Sequence, residues 1–190
     1  MPFRAFIAVD IGPMPELVKL SEELKATKAD LKLVEPENIH ITLKFLGDTD
    51  EVLVEQITGQ MIESSRGIQP FELRFEKIGA FPNINYLKVI WVGLEGATPL
   101  VQISRKLDSG LRSLGFKSDK KGFKPHITLA RVRSPRGKSE LKNVINAHSS
   151  DFFGTLNVNK IILKKSVLSP AGPTYTDISV VDLSDANDEI

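Results

Sequence analysis

The sequence predicts an α+β protein of two related lobes, each a mainly antiparallel sheet with helices on one face, and a cleft between them. Three observations carry this. The order strand, helix, short extended segment, strand, helix occurs twice, before about residue 66 and from about residue 86 to 148. Hairpin-like turns join many of the strand segments. No glycine-rich strand-to-helix turn is present to open a doubly wound parallel sheet. The 190 residues are accordingly read as a single bilobal domain, 1–190, with internal pseudo-duplication.

Phe3 to Ile11 alternates as a strand, and Pro13 and Pro15 open a helix to about Thr27 with Leu17, Leu20 and Leu24 on one face. Leu31 to Val34 is a short strand, Glu35 to Asn38 a turn, and Ile39 to Leu46 a strand that stops at Gly47. Asp48 or Thr49 then caps a helix to about Ser65. Phe71 to Ile78 reads as a strand, Phe81-Pro82-Asn83 as a turn, and Tyr86 to Leu94 as the next strand. Thr98-Pro99 starts a helix with apolar spacing from Leu100 to Leu114, ended by Gly115. A loop, a strand from Pro125 to Val132 and a helix from about Ser139 to Ala147 follow. Two closing strands, near Ile161 to Leu168 and Thr174 to Leu183, flank the turn Ser169 to Pro173.

Composition excludes several functional classes. Hydrophobic residues at 41% and charged residues at 26% fit a soluble globular protein rather than a disordered or membrane-spanning one. With no cysteine there is no disulfide framework, thiolate zinc site or cysteine nucleophile. The start, Met1-Pro2-Phe3-Arg4, lacks the form of a secretory signal, so the expected location is cytoplasmic, and a monomer is the default. Net charge is only +1, yet eleven lysines and arginines between Arg105 and Lys138 face only Asp108 and Asp119. That stretch surrounds a histidine motif and suits a polyanionic partner. The acidic end, from Asp177 to Glu189, reads as a solvated tail.

His40-Ile41-Thr42-Leu43 recurs as His126-Ile127-Thr128-Leu129 in a chain with three histidines. On a strand, His40 and Thr42 face one side while Ile39, Ile41, Leu43 and Phe45 face the other, and the second copy repeats the pattern. Two polar faces related by a pseudo-two-fold axis meet across one cleft. In-line hydrolysis of a cyclic phosphodiester needs one group to deprotonate water and another to protonate the leaving oxygen, and paired histidines do both near neutral pH. Thr42 and Thr128 are placed to donate to the non-bridging phosphate oxygens. Which histidine is acid and which base stays open on symmetric motifs. Metal ligation lacks a third ligand at suitable spacing, so neither metal nor cofactor is expected; a phosphate-cradling lysine loop and a serine elbow are also missing. His148 lacks the motif and reads as structural, near a helix C-terminus.

These motifs, with Phe3-Arg4-Ala5-Phe6-Ile7-Ala8-Val9, the extensions Lys44-Phe45-Leu46-Gly47 and Ala130-Arg131, and a loose closing pattern from Ser166 to Tyr175, resemble the two-histidine phosphoesterase superfamily. Within it the chain is most similar to RNA 2′,3′-cyclic phosphodiesterases, also known as the 2′-5′ RNA ligase family. The resemblance covers nearly the whole chain. It implies a catalytic cleft between two lobes and hydrolysis of terminal 2′,3′-cyclic phosphates to 2′-phosphomonoesters. It further implies His40 as proton donor and His126 as proton acceptor, and a second, ATP-independent activity that joins RNA ends through a 2′-5′ linkage. Partners are RNA with a 2′,3′-cyclic phosphate end, tRNA fragments among them, and no membrane. Arg131 matches the family's arginine, while Phe45 holds the equivalent place in the first motif. Strict alternation sets Arg131 opposite His126, so a phosphate contact there needs a bulge; a structural ion pair is the other reading. Tyr175 and Phe123 are candidates to stack on a base, with core packing as the alternative. Hydrolysis of a small cyclic phosphate and a non-catalytic RNA-binding module are the competing functions.

Overall fold

The computed structural model describes residues 2–170 and 172–183, so the acidic end beyond Leu183 and Ala171 of the closing turn lie outside the described residues. Nine strands are described: β1 (Phe3–Asp10), β2 (Leu31–Leu33), β3 (His40–Thr49), β4 (Phe71–Asn83), β5 (Tyr86–Glu95), β6 (His126–Val132), β7 (Phe152–Val158), β8 (Lys160–Ser169) and β9 (Gly172–Asp182). Four α-helices accompany them: α1 (Pro15–Ala26), α2 (Val54–Ser65), α3 (Thr98–Gly110) and α4 (Lys138–Ala147). The strands form two antiparallel sheets, ordered β3-β1-β8-β9 and β2-β6-β5-β4-β7.

The amphipathic stripes of the helices explain why each sheet buries one face. Leu17, Leu20 and Leu24 of α1 and Leu141 and Ile145 of α4 are buried, and these helices pack on the second sheet. Ile57 and Met61 of α2 and Leu100, Ile103 and Leu107 of α3 are buried against the first. The lobes are interleaved along the chain. The first sheet takes β1 and β3 from one end and β8 and β9 from the other, and β2 crosses to pair with β6. No helix among the described residues is long and apolar enough to cross a membrane.

Four local readings of the sequence are corrected. Gly47 does not stop its strand: with φ 72° it pivots a bulge, and pairing with β1 runs on to Thr49. The cap is therefore later, where Asp50 accepts from the Val52 amide ahead of the 3-10 turn Glu51–Leu53 and α2. Phe81-Pro82-Asn83 belongs to β4; the turn is the next two residues, and Asn83 Oδ1 shapes it by accepting from the amides of Asn85 and Tyr86. An unforeseen strand, β7, pairs with β4; Gly154 at φ 116° interrupts the alternation that would have revealed it.

Candidate active site

His40 and His126 are the first residues of β3 and β6, and both are half-buried in one cleft of about 1120 Å³ between the sheets. The two strands share the same burial order over seven residues, from each histidine to Leu46 or Val132. Val9 lies opposite Ile41 and Val92 opposite Ile127, so β1 and β5 meet the motifs at the same step.

Each ring is tied identically. Nδ1 of His40 lies 2.7 Å from the Asn38 carbonyl, and Nδ1 of His126 lies 2.6 Å from the Lys124 carbonyl. A carbonyl only accepts, so each Nδ1 is the donor, and in the neutral ring Nε2 is left as a proton acceptor. Local structure sets those carbonyls: Asn38 ends the 3-10 turn Pro36–Asn38, and Lys124 precedes Pro125, which favours extended backbone. Aromatic rings back both imidazoles. Phe6 and Tyr175 lie 5.0 and 5.3 Å from His40 between ring centroids, and Phe81 lies 5.0 Å from His126, edge to face.

Burial pushes both histidines below their ordinary value, against the raising effect of the carbonyl bonds. Their charged surroundings differ. Asp10 favours the imidazolium of His40 and Lys164 opposes it, whereas Lys124 opposes that of His126.

Thr42 and Thr128 line the same cleft, and among the described residues no protein group engages either hydroxyl. One residue on, both strands break alternation. Thr42 pairs with Ala8 and Lys44 with Ile7; Thr128 pairs with Trp91 and Ala130 with Ile90, so Leu43 and Leu129 are the extra residues of matching bulges. The freed carbonyls find different partners: Leu43 O accepts from Ser104 Oγ of α3 at 2.8 Å, and Leu129 O from the Val34 amide at 2.8 Å. After each bulge the faces exchange. Arg131 is thereby brought onto the cleft face with the histidines, as the sequence required for a phosphate contact, and Phe45 comes with it, exposed rather than facing the core as alternation predicted.

Tyr175 also lines the cleft, beside His40; burial pushes its phenol up, while Arg131 and Lys164 draw it down. Phe123 lines it too. His148 does not: it bridges Glu23 of α1 at 2.6 Å and Asp151 at 2.7 Å, outside the cleft. The basic stretch divides. Lys121, Lys124 and Arg131 reach the cleft, whereas Arg112 pairs with Asp108, and Lys138 donates to the Asn85 carbonyl. Sequence reasoning missed Arg4, Lys32 and Lys88, which line the cleft from outside that stretch, and the rings of Phe6 and Phe81. Phe6 was findable, since Phe6, Ala8 and Asp10 form one alternating set on β1. Among the described residues no group of three or more His, Cys, Asp or Glu is arranged to hold a metal ion.

Beneath the first bulge Lys44 is buried, and its Nζ donates to Asp108 Oδ1 and to the Lys117 carbonyl, both at 2.6 Å. Asp108 also accepts from Ser118 Oγ and the Asp119 amide. Desolvation pushes its carboxyl up, but the bonds from Lys44, Asp119, Ser118 and Arg112 together hold it well below the usual carboxylate range. This hub anchors the loop that carries Asp119, Lys121 and Lys124 to the cleft.

Comparisons with known proteins agree with this geometry. The 2′-5′ RNA ligase superfamily profile matches residues 13–165. The chain is 37% identical over 185 residues to the RNA 2′,3′-cyclic phosphodiesterase of Methanothermobacter thermautotrophicus, covering 96% of this chain and 100% of that one. It is 39% identical over 174 residues to the enzyme of that name from Methanocaldococcus jannaschii, covering 90% and 96%. A crystal structure from Thermus thermophilus superposes with TM-score 0.74 at 28% identity over 96% of this chain and 98% of that one. E. coli LigT complexed with 3′-AMP shares the fold, with TM-score 0.71 at 21% identity over 97% and 100%. With the paired histidine strands in place and these matches spanning almost its whole length, the chain belongs to the 2′-5′ RNA ligase superfamily.

Proposed function

We propose that the chain hydrolyses RNA 2′,3′-cyclic phosphate ends to 2′-phosphomonoesters by general acid–base catalysis without a metal. His126 takes the proton from water as the water oxygen attacks phosphorus. The bond from phosphorus to O3′ breaks, and His40 protonates O3′, leaving a 2′-phosphate and a 3′-hydroxyl. Thr42 and Thr128 donate to the non-bridging oxygens, and Arg131 balances the charge that develops there. The observation that carries this reading is the pair of identically tethered imidazoles, each with Nε2 left free for proton transfer by a carbonyl clamp on Nδ1. The assignment of His40 as donor is supported by Asp10, a carboxylate acting on it that His126 lacks among the described residues.

An RNA end rather than a small cyclic phosphate is favoured by the cleft, whose volume of about 1120 Å³ exceeds the ~300–1,000 Å³ usual for small-molecule sites. Its cationic lining from Arg4, Lys32, Lys88, Lys121, Lys124 and Arg131 suits a polyanion. With an RNA 5′-hydroxyl in place of water as the attacking group, the same displacement joins ends through a 2′-5′ linkage, O3′ again leaving protonated, and needs no ATP. The natural setting is a cytoplasmic monomer acting on RNA ends, tRNA fragments among them. The matched bulges and burial order support one bilobal domain built by duplication.

The deciding experiment is turnover of a short RNA ending in a 2′,3′-cyclic phosphate, in EDTA, with the product phosphate located. Release of a 2′-phosphate, reduced ~10²–10⁴-fold in His40→Ala and in His126→Ala, is expected. Turnover that needs an added divalent metal excludes the mechanism. RNA binding with no turnover in any condition leaves a binding module.

A further inference from the structure

We infer, resting on the acid–base reading above, that Asp10 is a positioning residue that assigns the proton-donor role to His40, and that Lys164 and Asp177 hold it in place. Asp10 is the register partner of His40 across β1 and β3. At the next step the Ile11 amide donates to the Ile39 carbonyl at 3.1 Å. Asp10 and His40 therefore form the open pair of the ladder, in which facing side chains stand closest, on the same side of the sheet. Because Nδ1 of His40 is already committed to Asn38, the carboxylate acts on the ring through space.

Asp10 is fixed from the other side. Lys164 Nζ lies 2.6 Å from Asp10 Oδ2 and 2.6 Å from Asp177 Oδ1, and the lysine side chain is only 7% exposed. An ammonium held between two carboxylates gives short, charge-assisted bonds and leaves the trio with net negative charge. The groups around His40 are Asp10 from β1, Lys164 from β8 and Tyr175 from β9, with Asp177 of β9 held behind them on Lys164 and Arg131 lining the same cleft from β6. Burial and Lys164 act against the imidazolium; Asp10 acts for it, more strongly than Lys164 acts against.

The second site lacks this device. The residue opposite His126 is Gly93, at the step where Asp10 faces His40. A Cβ there would meet the Glu76 carbonyl oxygen at 2.9 Å, so no side chain enters without backbone movement. Two sites alike in histidine, threonine, carbonyl clamp and bulge differ at the residue across the strand, and that difference distinguishes acid from base.

The test is an NMR titration of both imidazoles in wild type, Asp10→Asn and Lys164→Gln, beside pH profiles of kcat/KM on the cyclic-phosphate RNA. In Asp10→Asn, the His40 titration and the alkaline limb of the profile are expected to move down by ~0.5–1 pH unit, with His126 unmoved. In Lys164→Gln, which unmasks Asp10, His40 is expected to move the other way. An unmoved His40, equal movement of both rings, or a shift confined to the acid limb overturns the proposal. The ring titrations need no turnover, so an inactive wild type would sink the functional reading while the coupling of Asp10 to His40 is still measured.

Discussion

Phe45 of β3 and Arg131 of β6 stand at the same step of their strands, each brought onto the cleft face by a bulge, yet one offers an aromatic ring and the other a guanidinium. Phe45 packs 6.3 Å from Phe6 between centroids, whereas Arg131 is felt electrostatically by Tyr175. At this one step the two sides of the cleft differ, a charge on β6 and a ring on β3. Arg131→Met is expected to weaken RNA binding ~10-fold or more and to reduce the slope of log affinity against log salt by ~0.7. Phe45→Ala is expected to leave that slope unchanged. Salt titrations of binding to a single-stranded RNA end check both; equal slopes for all three proteins would remove Arg131 from phosphate recognition.

The pH optimum follows from the direction of the two histidine shifts. Both rings lie below the ordinary value of about 6.5 in the free protein, chiefly through burial. The base must be neutral and the acid protonated, and kcat/KM reports the free enzyme, so its bell is expected to centre on the acid side of pH ~6.5. With substrate bound, the phosphate's negative charge favours both imidazolium forms, and the kcat profile is expected to sit at higher pH. Profiles that coincide, or a single limb, would count against the histidine pair.

Asp108 holds the cleft loop rather than the substrate. Asp108→Asn removes the negative charge that pairs with buried Lys44, whose side chain is 4% exposed against 19% for Asp108. With that exposure, a loss of ~2–3 kcal/mol is expected in chemical denaturation, together with faster amide exchange at Asp119. The carboxyl is held low in the folded state, so its contribution is present above the unfolded pKa near 4 and is lost as pH falls toward the folded one.

His148 works in the opposite sense. The hydrogen bond it donates to Asp151 raises it first, burial opposes, and Glu23 raises it further. Its folded value lies above the unfolded one, so the clamp between α1, α4 and Asp151 contributes fully below pH ~6.5 and is lost as pH rises through the folded value. Wild type is expected to lose Tm between pH 6 and 8 more than His148→Gln does. Parallel Tm curves would remove the clamp from the stability of the fold.

The histidine strands were legible because chemistry and periodicity coincide in a short segment: His40, Thr42, His126 and Thr128 need only alternation to share a face. The bulges were legible only as a requirement on Arg131, because what creates them is remote in sequence. Ser104 of α3 takes the Leu43 carbonyl and Val34 takes that of Leu129. Phe45 was set on the wrong face for the same reason. The Asp10, Lys164 and Asp177 cluster joins residues from both ends of the chain, which no local pattern reveals. Gly47 and the Phe81-Pro82-Asn83 segment misled because residues that punctuate strands elsewhere here lie inside them.

The interleaving of the lobes has a consequence for how the molecule forms. His40 does not lie on a segment that matures alone: β3 rests on β1, which waits for β8 synthesised over a hundred residues later, and α1 is claimed by the opposite sheet from the strand it follows. Closing such long loops is slow, and until it happens the apolar faces of both sheets stay open. A polypeptide cut between the two halves yields two incomplete sheets rather than two half-enzymes. The strand of His40 therefore finds its full sheet only when the end of the chain arrives, while that of His126 has β5 beside it from the same stretch, and the cleft between the two sheets waits on the later of them.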